Sequence, residues 1–242
     1  MMQRLKAKVA LGLVVGAVSG AVWGCADNDS TLFVVGVAKI ESDCTYSPSA
    51  STTLLPQGVY DVGFDGSYQV GLILGNQMAS RGAKARSRVE TSRITLEGAE
   101  VRLSLPSGGE AHVPFTAPGA GFVDVGLGQD PGYGILSIVI IPELSNAVIG
   151  TALTDGYVIA DIKAFGKTLG GQEVESNVFK FPVKVCRGCL VTYPASELDA
   201  DGNCLGSAAT EASSGPCNWG QDTPVVCSSC AARYDVCRFP GK

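Results

Sequence analysis

The residues best able to do chemistry in this 242-residue chain are nine cysteines: Cys25, Cys44, Cys186, Cys189, Cys204, Cys217, Cys227, Cys230 and Cys237. Four of them form two C-x-x-C motifs, Cys186/Cys189 and Cys227/Cys230. Two such pairs can supply the four thiolates of a tetrahedral zinc site. One pair alone can exchange disulfides with a dithiol, if a helix N-terminus or a cation such as Arg187 lowers its thiolate pKa. The third possibility is structural cross-linking. Cys204, Cys217 and Cys237 have no place in a four-ligand cluster, and the single histidine, His112, lies far from the tail in sequence. The segment after Cys189, Leu190 to Pro194, reads as extended rather than helical, which weakens the redox reading. Disulfides are therefore expected, with no metal and no cofactor, provided that the chain reaches an oxidising compartment.

The N-terminus bears on that condition. Arg4, Lys6 and Lys8 form a positive stretch without acids. Val9 to Trp23 follows as an uncharged, mostly apolar run, shorter than the roughly 20 residues that cross about 30 Å of hydrocarbon. It ends in Val22-Trp23-Gly24-Cys25, followed by the polar Ala26-Asp27-Asn28-Asp29-Ser30. This pattern resembles the lipobox of bacterial lipoproteins: an aliphatic residue three before the cysteine, a small residue just before it, then the cysteine. The resemblance implies a signal peptide over residues 1–24, cleavage before Cys25, and a diacylglyceryl thioether on that sulfur, usually with a third chain on the freed amine. One acyl chain holds a protein weakly, at about 0.8 kcal/mol per buried CH₂, whereas two or more anchor it stably. In many lipoproteins an aspartate directly after the cysteine favours the inner membrane. Here that residue is Ala26, so the resemblance points to the outer membrane.

Export leaves eight cysteines for pairing once Cys25 is lipidated. Seven of the eight lie between Cys186 and Cys237, so full pairing requires Cys44 to bridge into the tail. Its partner stays open, because eight cysteines allow roughly a hundred connectivities. Loss of the leader also removes three cations and no acid, so the mature chain is more acidic than the −5 of the whole sequence. That balance excludes the basic footprint that nucleic acid demands.

The elements that carry these residues read as strands. Candidates are Thr31–Ile40, Gly58–Phe64, Ser67–Leu74, Arg88–Leu96, Glu100–Leu105, Ala111–Phe115, Gly121–Leu127, Ile135–Ile141, Tyr157–Phe165 and Asn177–Val185. Tyr68, Val70, Leu72 and Leu74 would share one face, as would Val101, Leu103 and Leu105. Asp65-Gly66, Pro106 to Gly109, Asp130-Pro131-Gly132 and Gly170-Gly171 supply turns between them. This spacing predicts an all-β, antiparallel β-sandwich over residues 31–185, joined by a short tether at 25–30 to the lipidated end. The last strand pair around Gly170-Gly171, and the segment Tyr68 to Asn76, resemble the terminal hairpin and central strand of immunoglobulin-like bacterial domains. That likeness implies a fold and no activity. Residues 186–242 are poor in large apolar side chains and should form a loop-dominated module stapled by disulfides.

Other motifs are weaker. Asp199, Asp201 and Asn203 alternate like donors of a calcium loop, but Thr210 stands where a twelfth-position acid is needed. No G-x-S-x-G elbow accompanies His112. Glu90, Glu97, Glu100, Asp155 and Asp161 are acids whose pairing as a glycosidase couple depends on the fold. Arg81, Lys84, Arg86 and Arg88 form the one concentrated basic run and are candidates for an anionic lipid headgroup or acidic polysaccharide. The expected function is that of a non-enzymatic binding or structural lipoprotein of the cell envelope, touching the membrane through its anchor and, as partners, other envelope proteins or acidic polysaccharide. The alternatives are an envelope enzyme, a thiol-redox protein using the C-x-x-C motifs, or a zinc module.

Overall fold

A computed structural model describes residues 31–64, 66–78, 91–126, 130–143, 149, 156–193, 217–227 and 235–237. Strands β1 (Leu32–Ala38), β2 (Leu54–Leu55) and β3 (Gly58–Asp61) open the chain, followed by β4 (Tyr68–Asn76), β5 (Ile94–Ser104), β6 (Glu110–Val123) and β7 (Gly132–Ile141). Then come β8 (Gly156–Thr168), β9 (Glu173–Glu175) and β10 (Phe179–Cys186), and the tail adds β11 (Val191–Thr192) and β12 (Val225–Val226). One sheet has the order β2-β1-β4-β7. The second runs β3-β10-β8-β5-β6, with β9 also paired to β8. The fold is an all-β sandwich of two sheets, as the strand pattern predicts.

The core follows from alternation. On β5 Leu96, Val101 and Leu103 point inward, while Glu97, Glu100 and Arg102 point out. On β8 Val158, Ala160, Ile162 and Ala164 are buried between less covered neighbours. Leu72 and Leu74 from β4 meet Leu136, Ile138 and Ile140 from β7 in the same apolar cluster. Full burial of such side chains contributes roughly 1.5–3 kcal/mol each before entropy is counted. β4 is covered on both faces. A Cβ at Gly71 would lie 2.8 Å from the Tyr46 ring, so that ring packs on the outer side of the strand only because the residue beneath it is glycine.

Three features depart from the sequence pattern. Arg88–Leu96 and Glu100–Leu105 do not form two strands: β5 runs through residues 97–99, with register shifts against β6 at Leu96/Gly98 and Val101/Leu103. Likewise β6 joins Ala111–Phe115 to the start of Gly121–Leu127, crossing Pro114 and Pro118. A proline cannot donate to a ladder, and an outermost strand tolerates it on its open side. Finally, two pairings are parallel, β3 with β10 and β11 with β12.

The tail is tied to the sandwich along β3. One side of β3 pairs with β10, and the other meets the segment around Gln221. Asp61 N–H donates to the Gly220 carbonyl at 2.9 Å, and Asp222 N–H donates to the Val59 carbonyl at 2.9 Å. The β3 edge of the six-stranded sheet is thus covered by the chain's own tail, which removes a template for aggregation there. A second, smaller apolar cluster lies under this seam: Phe64, Val225, Cys227 and Cys237, with Val191, Tyr193, Trp219 and Val236 packed on it.

Candidate functional site

Six of the eight cysteines expected to pair are joined as Cys44–Cys217, Cys186–Cys189 and Cys227–Cys237. Cys204 and Cys230 lie outside the described residues, as do Cys25, the basic run Arg81, Lys84, Arg86 and Arg88, and the loop Asp199 to Asn203. Cys44 sits at φ 64°, and its bond to Cys217 spans 173 residues of sequence, with the Cα atoms 5.4 Å apart. Cys227 bonds Cys237, so the second C-x-x-C motif does not close on itself and the two motifs do not share a four-thiolate centre.

The first motif is built around a buried acid. Asp61, fully buried at the end of β3, accepts N–H bonds through Oδ1 from Gly188 at 2.8 Å and Gly63 at 3.0 Å, and through Oδ2 from Leu190 at 3.0 Å. Two of these donors belong to the C-x-x-C turn, where Gly188 takes φ 78°. The carboxylate and the two sulfurs lie within 4.8 Å of one another, a spacing that could hold an ion. The disulfide occupies both sulfurs, however, and both carboxylate oxygens already accept hydrogen bonds. The motif leads into β11 and not into a helix, so the dipole that activates redox cysteines is missing here. All of this suits a structural cross-link.

A second acid, half-buried, secures the other side of the seam. Asp222, at φ 53°, accepts the Val59 N–H at 2.7 Å and the Tyr68 hydroxyl at 2.8 Å. Burial raises its pKa above the usual carboxylate value, more than those two hydrogen bonds lower it. Burial, then the charge of Asp222, pushes the Tyr68 phenol far up, so Tyr68 remains a donor. Gln221 completes the seam by accepting the Gln69 N–H at 3.0 Å.

A separate concavity lies on the outer face of the six-stranded sheet. It is a groove of about 660 Å³ across β6, β5 and β8, lined by Glu100, Arg102, Asp161 and Lys163, with Pro114, Phe115, Thr116 and Val178 around them. The register sets Glu100 opposite Lys163 and Arg102 opposite Asp161. Yet those cross-strand pairs do not close as ion pairs. Lys163 binds Glu175 instead, which raises its pKa, and Asp161 takes Lys180 at 2.8 Å. The side chains of Glu100 and Arg102 thereby make no hydrogen bond or ion pair among the described residues, although the Glu100 charge also helps to raise the Lys163 pKa.

No protein-family model, curated protein or solved structure matches this chain.

Of the acids noted as a conceivable glycosidase couple, Glu100 and Asp161 reach the groove, each opposite a cation, and Glu97 stands 3.8 Å from Lys167 outside it. Glu90 and Asp155 fall outside the described residues. His112 sits on β6, with Nδ1 2.6 Å from the Val113 carbonyl and its ring edge-on to Phe115 at 5.3 Å. Neither arrangement assembles a nucleophile with a base. Arg102 and Lys163 were invisible as site residues in the sequence. The available signal was the alternation of β5 and β8, which sends Glu100, Arg102, Asp161 and Lys163 to one face.

Proposed function

We propose that this chain is an exported lipoprotein of the bacterial cell envelope, anchored through lipidated Cys25, whose sandwich binds or scaffolds and does not catalyse. The observation that carries the reading is the Cys44–Cys217 bond, which joins the start of the sandwich to the tail. Such a cross-link persists in oxidising compartments and is rare where glutathione keeps thiols reduced. It agrees with the leader and with Cys25 at the end of the apolar run. The non-catalytic part of the proposal draws on the groove, which offers unpaired polar groups but no nucleophile–base couple.

Ala26 after the cysteine favours the outer membrane over the inner. Partners in this reading are the bilayer, through the acyl chains, and other components of the envelope. Intact-mass measurement of the full-length gene product from a bacterial envelope tests the proposal. The expected species lacks residues 1–24 and carries diacylglycerol and acyl mass on Cys25, and Cys25→Ser leaves the leader uncleaved. A species with its leader attached and Cys25 unmodified overturns it.

A further inference from the structure

We infer that the groove on the outer face of the six-stranded sheet is a binding site for an uncharged glycan, held between Glu100 and Arg102. The inference rests on the reading of the sandwich as a binding domain, and it holds whether or not Cys25 is lipidated. Its first support is the pattern of used and unused charge. Lys163 is engaged by Glu175 and Asp161 by Lys180, which leaves one carboxylate and one guanidinium on β5 with their hydrogen-bonding capacity unspent among the described residues. A carboxylate only accepts and a guanidinium only donates. A ligand that satisfies both must offer donors and acceptors side by side, as every sugar hydroxyl does.

Charge balance selects further. Two acids and two cations line the groove, so a polyanion meets Glu100 and Asp161 and a polycation meets Arg102 and Lys163. A neutral polar chain meets neither penalty. Geometry disfavours an extended peptide. Strand addition needs a free sheet edge, and the neighbouring edge strand β6 carries Pro114 and Pro118, which lack N–H groups. Pro114, Phe115 and Val178 supply apolar lining beside the charged row, which suits the C–H faces of sugar rings. The groove is open and crosses three strands, so it fits several linked rings better than one small molecule. Glu100 and Arg102 also sit two residues apart on a strand paired on both sides, which fixes the spacing of the two heads at roughly 6–7 Å along the backbone.

The test uses the full chain, purified with its disulfides intact, on an array of hexose oligomers: neutral gluco-, manno- and galacto-hexasaccharides, hexameric polygalacturonate and an oligolysine peptide. The expected result is saturable retention of at least one neutral hexasaccharide and of neither charged probe. Glu100→Gln and Arg102→Met should each weaken that binding about tenfold or more, as expected for a lost hydrogen bond to a charged group. Neither side chain makes a hydrogen bond or ion pair among the described residues, so both variants should melt close to the wild type. Retention of no neutral oligomer, preference for polygalacturonate or oligolysine, or neutral binding indifferent to both substitutions overturns the inference. Intact-mass analysis reports separately on the anchor, so failure of one reading cannot be mistaken for failure of the other.

Discussion

Along β4 and β7 the inward positions are large aliphatic side chains, Leu72 and Leu74 against Leu136, Ile138 and Ile140, and the two strands pair residue by residue from Gln69 to Asn76. In the described tail beyond β10 the buried apolar side chains are few: Leu190, Val225, Cys227 and Cys237, with Phe64 lent by the sandwich. The tail is held by three other devices: covalent bonds, the carboxylates of buried Asp61 and half-buried Asp222, and an edge contact with β3. A core of that size cannot offset the entropy of ordering so many residues. The difference teaches where the molecule should come apart. The sandwich depends on apolar burial, which reductant leaves alone, and the tail depends on oxidation.

The sharpest way to break the comparison is Cys44→Ala with Cys217→Ala. Opening a loop of 173 residues returns the most chain entropy to the unfolded state, about 5 kcal/mol in the loop-closure account. The same account assigns about 3 kcal/mol to Cys227–Cys237 and about 2 kcal/mol to Cys186–Cys189. Urea titration should reveal two separate events in the double variant. Trp219, which packs on Phe64 and is the one tryptophan beyond the leader, reports tail undocking, and far-ultraviolet circular dichroism reports the sheets. Fluorescence should change at lower urea than the sheet signal. Coincident transitions would contradict a tail held mainly by its cross-links.

Asp61→Ala should come next, at about 4 kcal/mol, because it strands the buried N–H groups of Gly63, Gly188 and Leu190. Asp61→Asn keeps an acceptor and should lose roughly half as much. Leu72→Ala, in the other region, should cost about 3 kcal/mol by leaving a cavity, and should shift both signals together in oxidised and reduced protein alike. If reductant doubled the Leu72→Ala effect, the two regions would not be independent.

Much of this contrast was legible in the residues. Alternation such as Val101, Leu103 against Glu100, Arg102 marks a half-buried strand whatever surrounds it, so the sandwich was readable from period alone. The need for Cys44 to reach the tail followed from counting. Its partner did not, since pairing depends on where β3 and the tail segment meet, and that contact is non-local. The prolines of β6 hid its length, because a strand-breaking residue is tolerated on an open edge and only the fold says which strand is outermost. The groove was hidden for a similar reason: Glu100 and Arg102 matter through what Lys163 and Asp161 do on other strands. Asp61 lay inside the predicted strand Gly58–Phe64 and Asp222 in the loop-dominated tail, and nothing local marks either as the acceptor for N–H groups far away in sequence.

The smallest expected effect is also the one that separates the two acids of the seam. Asp61 receives three backbone N–H bonds, whereas Asp222 receives one N–H and one hydroxyl, and burial raises its pKa. A carboxyl whose folded pKa exceeds its unfolded value binds protons more readily when folded. The stability it contributes is complete below the unfolded value, near 3.8, and fades as pH rises through the folded one. Asp222→Asn removes that dependence: its amide oxygen can accept the Val59 N–H, its amide nitrogen can donate to Tyr68, and asparagine tolerates φ 53° well. At neutral pH the variant should lie within about 1 kcal/mol of wild type, on the stabilised side. Urea midpoints taken across the mildly acidic range should fall with rising pH for wild type relative to the variant. A variant destabilised by several kcal/mol at pH 7 would mean that the charge of Asp222, and not its shape, holds the tail against β3.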